Sequence, residues 1–547
     1  MNIPSDLRST LQELADWIEI RTASPEAGQI RRSAGAGAIP AFTSSPFVTT
    51  LLQEVASGNG SRALSRIRAA VPSMVRHLFD AGLMTPPALA RLVRHGGVVT
   101  LDDLGLAADD GRLERLFGEG TAGVLRKWLD TAGQPGTPLG RAHDVADALL
   151  VQLARAAPTL TAVEPAGGIR RCDSLVSGIV IVARSDDPGA AVHTIAQLEP
   201  EPGVLHRSAR RVILNYRQAE VDVRVAAPDE HGTVLFTTTG SRAHYRGMLT
   251  SRGRGGIYPR EEQVYASAGL PWIAPELREG TGEIEAAAAG RLPTLIEPRH
   301  IRGDLHMHST YSDGRDSVDA MVSACHELGY EYIAITDHSE GAAASRTLAA
   351  SEVPRQREEI ARLRERYPGM AILHGVEVDI LPGGGLDFTD AILEGFDIVL
   401  ASLHDDAGHD RARLTKRCLA AIRHPLVTVI SHPSNRLVGR RDGYPLDFDA
   451  IFAAAAETGT ALEIDGAPGH LDLDGARARA AAQAGVTLAI DSDCHRASSL
   501  RRQMLLGVGT ARRGWIEPAQ VLTARPIEAV RAFIRAKRQG LFPGGGA

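Results

Sequence analysis

The sequence has few cysteines and no apolar run that approaches the length of a membrane span. Only four cysteines occur in 547 residues, and none of them forms a Cys-x-x-Cys pair. This dispersal argues against a disulfide framework or a thiolate metal site, so we expect reduced thiols in a cytoplasmic protein. The N-terminal segment MNIPSDLRSTLQELADW also lacks the basic-then-apolar pattern of a secretory signal.

The sequence also lacks a strong excess of charge of either sign. It carries 60 Lys and Arg against 66 Asp and Glu, a formal net charge of −6 at pH 7. This balance argues against nucleic-acid binding by bulk electrostatics, so contacts with phosphates would have to come from local patches. One patch is the run 239–260, which holds five arginines and no acidic residue. We expect a loop there, either solvated or contacting phosphates through residues such as Arg242 and Arg246.

Length and patterning predict several domains. Residues 1–155 are predicted to form short helices, with a loop at 22–46 where Gly, Ala, Ser and Pro are concentrated. Residues 156–295 contain β-rich segments such as SGIVIVA and RVILNY, followed by an Ala-, Glu- and Pro-rich connection. A third region, 296–547, has a different and more regular pattern.

After residue 300, apolar runs alternate with polar loops and helical segments. The runs are IRGDLHMH, YEYIAITDH, MAILHGVEVD, FDIVLASLH, LVTVISHP, TALEIDG and VTLAIDSDCH. Nearly continuous apolar strands separated by helices indicate parallel βαβ units. Seven repeats predict a closed or nearly closed (β/α) barrel instead of an open sheet.

Six of the seven runs carry a candidate histidine, aspartate or glutamate ligand at or near their carboxyl ends. Active sites of (β/α) barrels lie at the carboxyl ends of the strands, where such side chains converge. In GDLHMHSTYSDG, His306 and His308 would point to the same side of a strand, and Asp313 would return from the following loop. The other candidates follow later runs: His338, Glu377, His404, His432, Asp493 and His495.

The nine candidates are imidazoles and carboxylates without a thiolate. They are too many for one ion and enough for three, and mixed N/O donors suit Zn²⁺, Mn²⁺ or Fe²⁺. Clustered divalent ions about 3.5–4 Å apart generate hydroxide and hold both oxygens of an in-line phosphoryl displacement. We therefore expect phosphoester hydrolysis by metal-bound hydroxide, without a side-chain nucleophile.

Other potential ligands of this region are assigned to different roles. Cys494 lies between Asp493 and His495, so on a strand its side chain would point away from theirs. The five remaining histidines after residue 301 lie on predicted helices, in mid-strand or in loops, and are expected to be surface or packing residues: His326, His374, His409, His424 and His470.

The motifs DLHMHSTYSDG, AITDHS, GVEVDI, ASLH, ISHPSNRLVGRR and DSDCH resemble the PHP (polymerase and histidinol phosphatase) domain. They are most similar to the PHP domain fused to bacterial family X DNA polymerases, and the similarity continues upstream through VDVRV, TGSRAH and EEQVYASAGLPWIAPELREG. The resemblance implies a distorted (β/α)7 barrel acting as a Mn²⁺-dependent 3′→5′ exonuclease in DNA repair. It also implies a helical lyase-like and fingers region and an α+β nucleotidyltransferase-like palm.

The resemblance further implies three divalent ions, bound by all nine candidates. The first ion would be bound by His306, His308, Glu377 and Asp493. Glu377 would bridge to a second ion bound by His404 and His432. The third ion would be bound by Asp313, His338 and His495.

DNA would be the partner, at 3′ ends or in gapped repair intermediates, and we expect a monomer. Candidate phosphate contacts near the metal centre are Lys416, Arg436, Arg440 and Arg441, with surface salt bridges as the alternative. In the family, helix-hairpin-helix motifs bind the DNA backbone through glycines. Here one hairpin reads GLM at residues 82–84, whereas GEG retains both Gly118 and Gly120.

The polymerase-like half departs from the family pattern at its metal site. Family X polymerases hold Mg²⁺ with three aspartates, but the stretch GGIRRCDSLVSGIVIVA places Gly178 and Val180 at two of these positions. Asp222 is the residual polymerase-site carboxylate, and Asp173 is a candidate substitute. One carboxylate cannot hold two hard cations. Lyase chemistry through a Schiff base requires a lysine, and residues 1–126 contain none. The sequence therefore predicts a polymerase-inactive half attached to an intact hydrolase.

Three alternatives remain. A small-molecule phosphatase of the histidinol-phosphate type would use the same chemistry, but it would not need the long polymerase-like sequence. A still-active family X polymerase would require other metal ligands. A non-catalytic DNA-end-binding scaffold would use its metals structurally, and the complete ligand set argues against it.

Overall fold

The computed structural model describes residues 5–22, 25–36, 43–131, 136–198, 203–252, 256–342 and 344–542. The chain forms two compact units. The first unit comprises Met1–Thr137, Ala142–Ile169 and Val176–Trp272, and the second comprises Pro138–Arg141, Arg170–Leu175 and Ile273–Ala547. The division into three regions at 155 and 295 stays a prediction. Within the described residues no helix has the length and apolar character needed to cross a membrane. All four cysteines are free thiols, as predicted.

The N-terminal part of the chain is helical, as predicted. Its helices are α1 Ser5–Arg21, α2 Glu26–Ala36, α3 Pro46–Glu54, α4 Gly60–Ala69, α5 Ser73–Asp80, α6 Pro86–Gly96, α7 Leu101–Asp109, α8 Arg112–Thr131 and α9 Leu139–Ala156, with a π-helical turn at Val55–Asn59. Helix α2 lies within the segment 22–46, so the loop prediction is wrong for residues 26–36. Ala27, Ile30 and Ala34 form an apolar face at helical spacing and are buried in the core of this unit. Residues 37–42 of that segment lie outside the described residues.

A five-stranded mixed sheet follows in the first unit, in the order β2-β4-β7-β6-β5. The strands in this part of the chain are β1 Thr137–Pro138, β2 Thr161–Ala166, β3 Leu175–Val176, β4 Ile179–Arg184, β5 Gly203–Ser208, β6 Arg211–Tyr216 and β7 Ala219–Ala226. The helices are α10 Gly167–Arg170, α11 Pro188–Ile195, α12 His231–Thr239, α13 Arg242–Arg252 and α14 Glu261–Ala266. Strand β4 runs parallel to β7, which places Val180 directly opposite Asp222.

The arginine-rich run 239–260 contains helix α13, so the loop prediction is wrong for residues 242–252. The Ser241 hydroxyl accepts a hydrogen bond from the His244 N–H at 3.1 Å, which satisfies a free amide of the first turn. Arg254 lies outside the described residues.

The second unit contains a seven-stranded sheet in which every paired neighbour is parallel and the strands follow chain order. The strands are β8 Gly303–Asp304, β9 Tyr332–Ile335, β10 Ala371–Asp379, β11 Ile398–Ser402, β12 Val429–Ile430, β13 Ala461–Asp465 and β14 Leu488–Asp491. The helices are α15 Glu283–Ala288, α16 Val318–Glu327, α17 Val353–Arg366, α18 Asp390–Leu393, α19 Arg411–Arg423, α20 Phe448–Thr458, α21 Gly475–Gln483, α22 Leu500–Arg513 and α23 Ile527–Arg538. Short 3₁₀ turns occupy Pro275–Leu277, Pro298–His300, Ala497–Ser499, Pro518–Gln520 and Leu522–Ala524.

The sheet curls so that its first and last strands meet just beyond their carboxyl ends. Met307 and Cys494 form a parallel bridge, and the His308 N–H donates to the Cys494 carbonyl at 2.9 Å. Every residue of β9, β11, β13 and β14 is buried, which is typical of parallel strands covered on both faces. The predicted seven-stranded, nearly closed (β/α) barrel is therefore confirmed.

Candidate metal centre

All nine predicted ligands lie at the carboxyl ends of the barrel strands. Six of them line a cavity of about 200 Å³, and His306, His308 and Glu377 lie next to these six. His306 and His308 are fully buried, and Glu377 is 1 % exposed. The side chains of His404, Asp313 and His495 are 19 %, 22 % and 33 % exposed and contribute to the cavity wall. The cavity therefore has a buried side and a partly open side.

On the buried side, His306 and His308 approach each other through their Nε2 atoms, which are 3.1 Å apart. The Asp493 Oδ1 atom is 3.0 Å from His308 Nε2, and Glu377 Oε2 is 3.4 Å from His306 Nε2. The two histidines therefore converge as their two-residue spacing predicts. Two imidazole nitrogens beside two carboxylate oxygens form a donor set that suits a divalent ion.

The Glu377 carboxylate faces two groups of histidines. Its Oε2 atom is 2.8 Å from His338 Nδ1, and it also faces the His306 side of the cavity. Its Oε1 atom is 2.9 Å from His432 Nε2 and 3.6 Å from His404 Nε2. A carboxylate with one oxygen on each side has the geometry needed to bridge two cations.

On the more open side, Asp313 lies between two imidazoles. Its Oδ1 atom is 3.2 Å from His495 Nε2 and 3.6 Å from His338 Nε2. The His308 ring stacks on the rings of both histidines, with centroids 4.3 Å apart in each case. His338 therefore approaches Asp313 with one ring nitrogen and Glu377 with the other, so it lies between two of the expected ligand groups.

Several buried polar atoms of the centre have no hydrogen-bond partner among the described residues. They are Asp313 Oδ1, His338 Nδ1, Glu377 Oε2 and His432 Nδ1. Buried polar groups are nearly always satisfied, so atoms that converge without bonding to one another indicate a missing partner. Imidazole nitrogens and carboxylate oxygens are donors that divalent cations accept, so the residues present fit metal ions.

The carboxylates of the centre are held in their ionised form. Burial alone would raise the pKa of Glu377, but the imidazoles of His306 and His338 hold that pKa well below its ordinary value. Burial also opposes ionisation of Asp313, but the adjacent imidazoles of His495 and His338 lower its pKa to about 2. These carboxylates therefore provide negative charge that can offset the charge of a cation.

A layer of buried carboxylates, which the sequence analysis missed, holds the histidines in place. Glu463 Oε1 lies 2.7 Å from His306 Nδ1, and its Oε2 accepts the His432 N–H at 2.6 Å. Asp379 is hydrogen-bonded to His404 Nδ1. Such partners fix the orientation and tautomer of a metal-binding imidazole. Both carboxylates could have been found, because each lies in an LEID or VEVD segment at the end of an apolar run.

His470 is predicted to be a surface or packing residue, and in the structure it packs directly beside the predicted ligands. Its side chain lines the cavity and stacks on the His432 ring with centroids 5.3 Å apart. It also forms a ligand-like group with Asp465 and Asp493. By contrast, His374 packs in mid-strand as predicted, with Nε2 3.0 Å from Gln356 Oε1.

Two predicted ligands have left-handed backbone conformations, with φ of 26° at His432 and 48° at Asp493. Residues other than glycine seldom adopt such angles, and those that do concentrate at functional sites. Cys494, next in the chain, directs its thiol to the Arg496 carbonyl at 2.9 Å and belongs to none of the ligand groups among the described residues.

The candidate phosphate contacts of the second unit differ in whether their side chains already donate hydrogen bonds within the protein. Lys416 and Arg440 are exposed. Arg436 donates through Nε to the His470 carbonyl at 2.9 Å and through Nη2 to the Leu471 carbonyl. Arg441 donates to the Asn435 carbonyl at 2.6 Å. Arg441 is also exposed, so Lys416 and Arg440 differ from it in having no side-chain hydrogen bond within the described residues.

In the first unit, the candidate contacts are partly engaged as well. Arg242 binds both oxygens of Asp109 at 2.7 Å, and Arg246 also pairs with Asp109. Gly118 interrupts helix α8 with φ of 77°. A side chain added at Gly118 or Gly120 would meet no atom within 4 Å, so the backbone of this turn is open.

The residual polymerase-site carboxylate, Asp222, is occupied by arginines. Arg211 binds its two oxygens at 2.7 Å each, and Arg224 donates to Oδ2 at 2.9 Å. The same two arginines bind the buried Asp103 at 2.7 and 2.9 Å. Asp173 belongs to the second unit and lies 3.6 Å from Arg171 and 3.8 Å from Arg513.

Comparisons with known proteins agree with this arrangement. Residues 304–465 match the PHP domain. The chain is 33% identical over 511 residues to DNA polymerase/3′-5′ exonuclease PolX of Bacillus subtilis (strain 168), covering 89% of each protein. A probable phosphatase of Thermoanaerobacter sp. (strain X514) is 33% identical over 207 residues, which cover 35% of this chain and 78% of that protein.

Two solved structures show only weak likeness. Histidinol phosphate phosphatase of Lactococcus lactis, complexed with zinc, L-histidinol and phosphate, is 18% identical with a TM-score of 0.29, covering 38% of this chain and 94% of its own. Leishmania infantum polymerase beta is 16% identical with a TM-score of 0.24, and the match covers 36% of this chain and 94% of that chain. Neither score supports an argument about this chain. The relationship over 89% of both sequences does, and it shows that the chain belongs to the bacterial DNA polymerase/3′-5′ exonuclease PolX family.

Proposed function

We propose that this protein is a metal-dependent phosphodiesterase that removes nucleotides from DNA 3′ ends during DNA repair in the cytoplasm. The observation that carries the proposal is the convergence of nine imidazole and carboxylate side chains at the carboxyl ends of the barrel strands, six of them lining one cavity. The relative that spans most of the chain is named a DNA polymerase and 3′-5′ exonuclease, which supports DNA as the substrate.

Three divalent ions, which are Mn²⁺, Zn²⁺ or Fe²⁺, fit the donor set of the nine ligands. His306, His308, Glu377 and Asp493 would hold the first ion. The second would be held by Glu377, His404 and His432, and the third by Asp313, His338 and His495. Divalent ions in such a centre activate water and neutralise the oxygens of a phosphoryl group.

The protein's own residues fix the geometry of this chemistry. Glu463 and Asp379 orient the imidazoles of His306 and His404 through their Nδ1 atoms, which leaves each Nε2 facing Glu377. Asp313 and His495 lie on the more open side, where a phosphodiester would enter. The exposed Lys416 and Arg440 would contact DNA phosphates and position the strand.

We further propose that the polymerase-like half does not transfer nucleotides. Both oxygens of Asp222 already accept hydrogen bonds from guanidinium groups. Two arginines balance the charge of Asp103 and Asp222, so this cluster has no excess negative charge to attract Mg²⁺. Val180, opposite Asp222, offers no oxygen ligand. Magnesium sites use carboxylate oxygens together with waters and phosphates, and none of these carboxylate oxygens is free.

A small-molecule phosphatase is the second candidate. It is favoured by the limited size of the cavity, about 200 Å³, and by relatives named probable phosphatases that match only the PHP part of the chain. A non-catalytic DNA-end-binding scaffold would also hold metals, but it would hydrolyse nothing.

One experiment separates these functions. The purified full chain is given Mn²⁺ and a 3′-recessed duplex, single-stranded DNA or a phosphomonoester, with and without a chelator. We expect stepwise loss of nucleotides from DNA 3′ ends, abolished by chelation, with much slower release from the phosphomonoester. A preference for the phosphomonoester would favour the phosphatase, and DNA binding without hydrolysis would favour the scaffold.

A further inference from the structure

We propose that Asp465, His470 and Asp493 form a further cation-binding position, adjoining the nine-ligand centre. Its role in catalysis rests on the proposed hydrolase function, whereas the binding of the cation does not. Asp465 and His470 belong to none of the three ligand groups described above, and only Asp493 is shared. A cation at this position would either be a further ion of the same centre or bind independently after the other ions are removed.

The three side chains meet because of where the last two strands end. Asp465 is the last residue of β13, and its partner on β14 is Asp491, two residues before Asp493. His470 comes from the turn that follows β13. One ligand atom from each side chain lies within 4.8 Å of the other two. Bonds of about 2.0–2.2 Å place the ligand atoms of one ion up to about 4.4 Å apart, so small side-chain movements suffice.

Two of these side chains have buried atoms that need a partner. Asp465 is fully buried, and its Oδ1 atom accepts the Ala467 N–H at 2.5 Å. Its Oδ2 atom and the Nδ1 atom of His470 are buried without a hydrogen-bond partner in the described part of the chain. An unsatisfied buried carboxylate oxygen is costly, and a cation at this position would remove that cost.

Asp493 can bind the first ion and the further cation at the same time. Its Oδ1 atom faces His308 at 3.0 Å and His306 at 3.5 Å. An ionised aspartate has two oxygens and about four lone-pair positions, so it can bind two cations at once. Glu377 divides its oxygens between two groups in the same way.

The turn that carries His470 is held in one conformation. The His470 and Leu471 N–H groups both donate to the Ala467 carbonyl, at 2.9 and 3.0 Å. Arg436 binds the His470 carbonyl at 2.9 Å and also the Leu471 carbonyl. Leu471 has φ of 46°, a left-handed conformation that needs such support. We assign Arg436 as a positioning residue for His470 as well as a candidate phosphate contact.

The donor set indicates the class of cation. One imidazole and two carboxylates without a thiolate suit Mn²⁺ or Zn²⁺. Three protein ligands are characteristic of sites that leave a coordination position for water or substrate. His470 and Asp493 both line the cavity, so that position would face the side from which a phosphate enters.

The test counts the Mn²⁺ ions bound per chain, by electron paramagnetic resonance of free Mn²⁺ during titration of metal-free full-length protein. We expect Asp465→Asn and His470→Ala each to bind one ion fewer than wild type. His326→Ala, a change at an exposed histidine of α16, should bind the wild-type number. An unchanged count and unchanged affinities in both variants would overturn the proposal.

A milder variant covers the case in which these changes prevent folding. Arg436→Lys keeps the charge but loses the two-pronged donation to the turn. We expect it to weaken the last ion to bind by about 10–100-fold, as is typical when a supporting residue is lost. Wild-type binding of every ion by Arg436→Lys would contradict the assigned positioning role and the site it supports.

The count also separates this inference from the proposed function. If the wild-type protein does not cut DNA, but Asp465→Asn and His470→Ala each bind one ion fewer than wild type, the cation position stands and the nuclease proposal fails. If wild-type protein cuts DNA and both variants bind the full number of ions, the nuclease stands and the cation position fails.

Discussion

Buried carboxylates are arranged in opposite ways in the two units. In the barrel, Glu377 and Asp493 face imidazoles, and several polar atoms around them have no partner among the described residues. In the first unit, Asp103 and Asp222 face two guanidinium groups that satisfy them. Burying a charge is costly unless a partner compensates it. The first arrangement therefore leaves donor atoms available to cations, whereas in the second the carboxylate oxygens already accept hydrogen bonds from arginines.

The largest expected effect comes from removing the two most buried imidazoles. His306→Ala/His308→Ala should reduce 3′→5′ degradation of labelled DNA with Mn²⁺ to background. Loss of a supporting residue alone costs about 10–100-fold, and these residues are proposed to bind the ion directly. His326→Ala, at an exposed position, is the control. Undiminished cleavage by the double variant would show that the barrel centre is not the nuclease site.

We expect the first unit to show no polymerase activity in a primer-extension assay. The His306→Ala/His308→Ala protein, supplied with a primed template, dNTPs and Mg²⁺ or Mn²⁺, should give no extension product, because Val180 and Gly178 offer no oxygen ligand and Asp222 is occupied. Nuclease activity cannot hide synthesis in this variant. Templated extension would mean that Asp222 leaves its arginine partners and binds a metal ion. The proposed difference in metal binding between the two units would then be wrong.

The arginine cluster should instead matter for stability. Asp222→Asn leaves buried guanidinium charge uncompensated and should destabilise the first unit by about 3–5 kcal/mol, with no change in nuclease rate. Hydrogen exchange of peptides from this unit during urea unfolding measures the effect separately from the barrel. Glu528→Gln breaks an exposed pair with Arg531 and should cost about 0–1 kcal/mol. Equal, small effects of both changes would contradict the proposed importance of the buried cluster.

A smaller effect is expected from the carboxylates behind the ligands. Glu463→Gln keeps the shape of the side chain but removes the anion that faces His306 Nδ1 and accepts from His432 N–H. Mn²⁺ affinity should fall by about 10–100-fold, and high Mn²⁺ should restore much of the rate. Glu457→Gln, on the exposed side of α20, is the matched control. Identical Mn²⁺ titrations for the two variants would remove Glu463 from the centre.

The smallest effect is expected at the exposed cations. Lys416→Ala and Arg440→Ala should each lower the slope of log affinity against log salt by about 0.7–0.9, the value for one lost phosphate contact. Binding of the His306→Ala/His308→Ala protein to DNA gives this slope without cleavage. Arg531→Ala, at an exposed arginine of α23, should leave the slope unchanged. If all three variants behave alike, DNA does not pass over Lys416 and Arg440.

The barrel could be predicted because its strands are buried on both faces and its polar residues follow them at regular positions. The rule that candidate ligands follow each strand directly did not identify the polar residues of the sixth run, TALEIDG. There Glu463 and Asp465 lie at the end of the strand, and His470 lies five residues further along. The position of His470 depends on the left-handed Leu471 and on Arg436, which strand periodicity does not encode.

Helices α2 and α13 were missed for a related reason. Their Gly-, Ser- and Arg-rich composition favours loops, whereas tertiary contacts stabilise the helices. Helix α2 buries an apolar face in the core, and Asp109 binds Arg242 at the start of α13. The position of Asp222 on a strand could be predicted from sequence, but the arginines that bind it come from strand pairing and were not predicted.

The bridge between Met307 and Cys494 also determines when the centre can form during folding. His308 and Asp493, which lie next to each other in the centre, are 185 positions apart in the chain. Closing so long a loop is slow, because its entropy must be lost before the contacts form. Until the segment after β14 is synthesised and docks, Met307 has no bridge partner, and the sheet edge at β8 is more accessible to another chain. We therefore expect the metal centre to be among the last parts of the barrel to form, so that metal uptake reports on barrel closure.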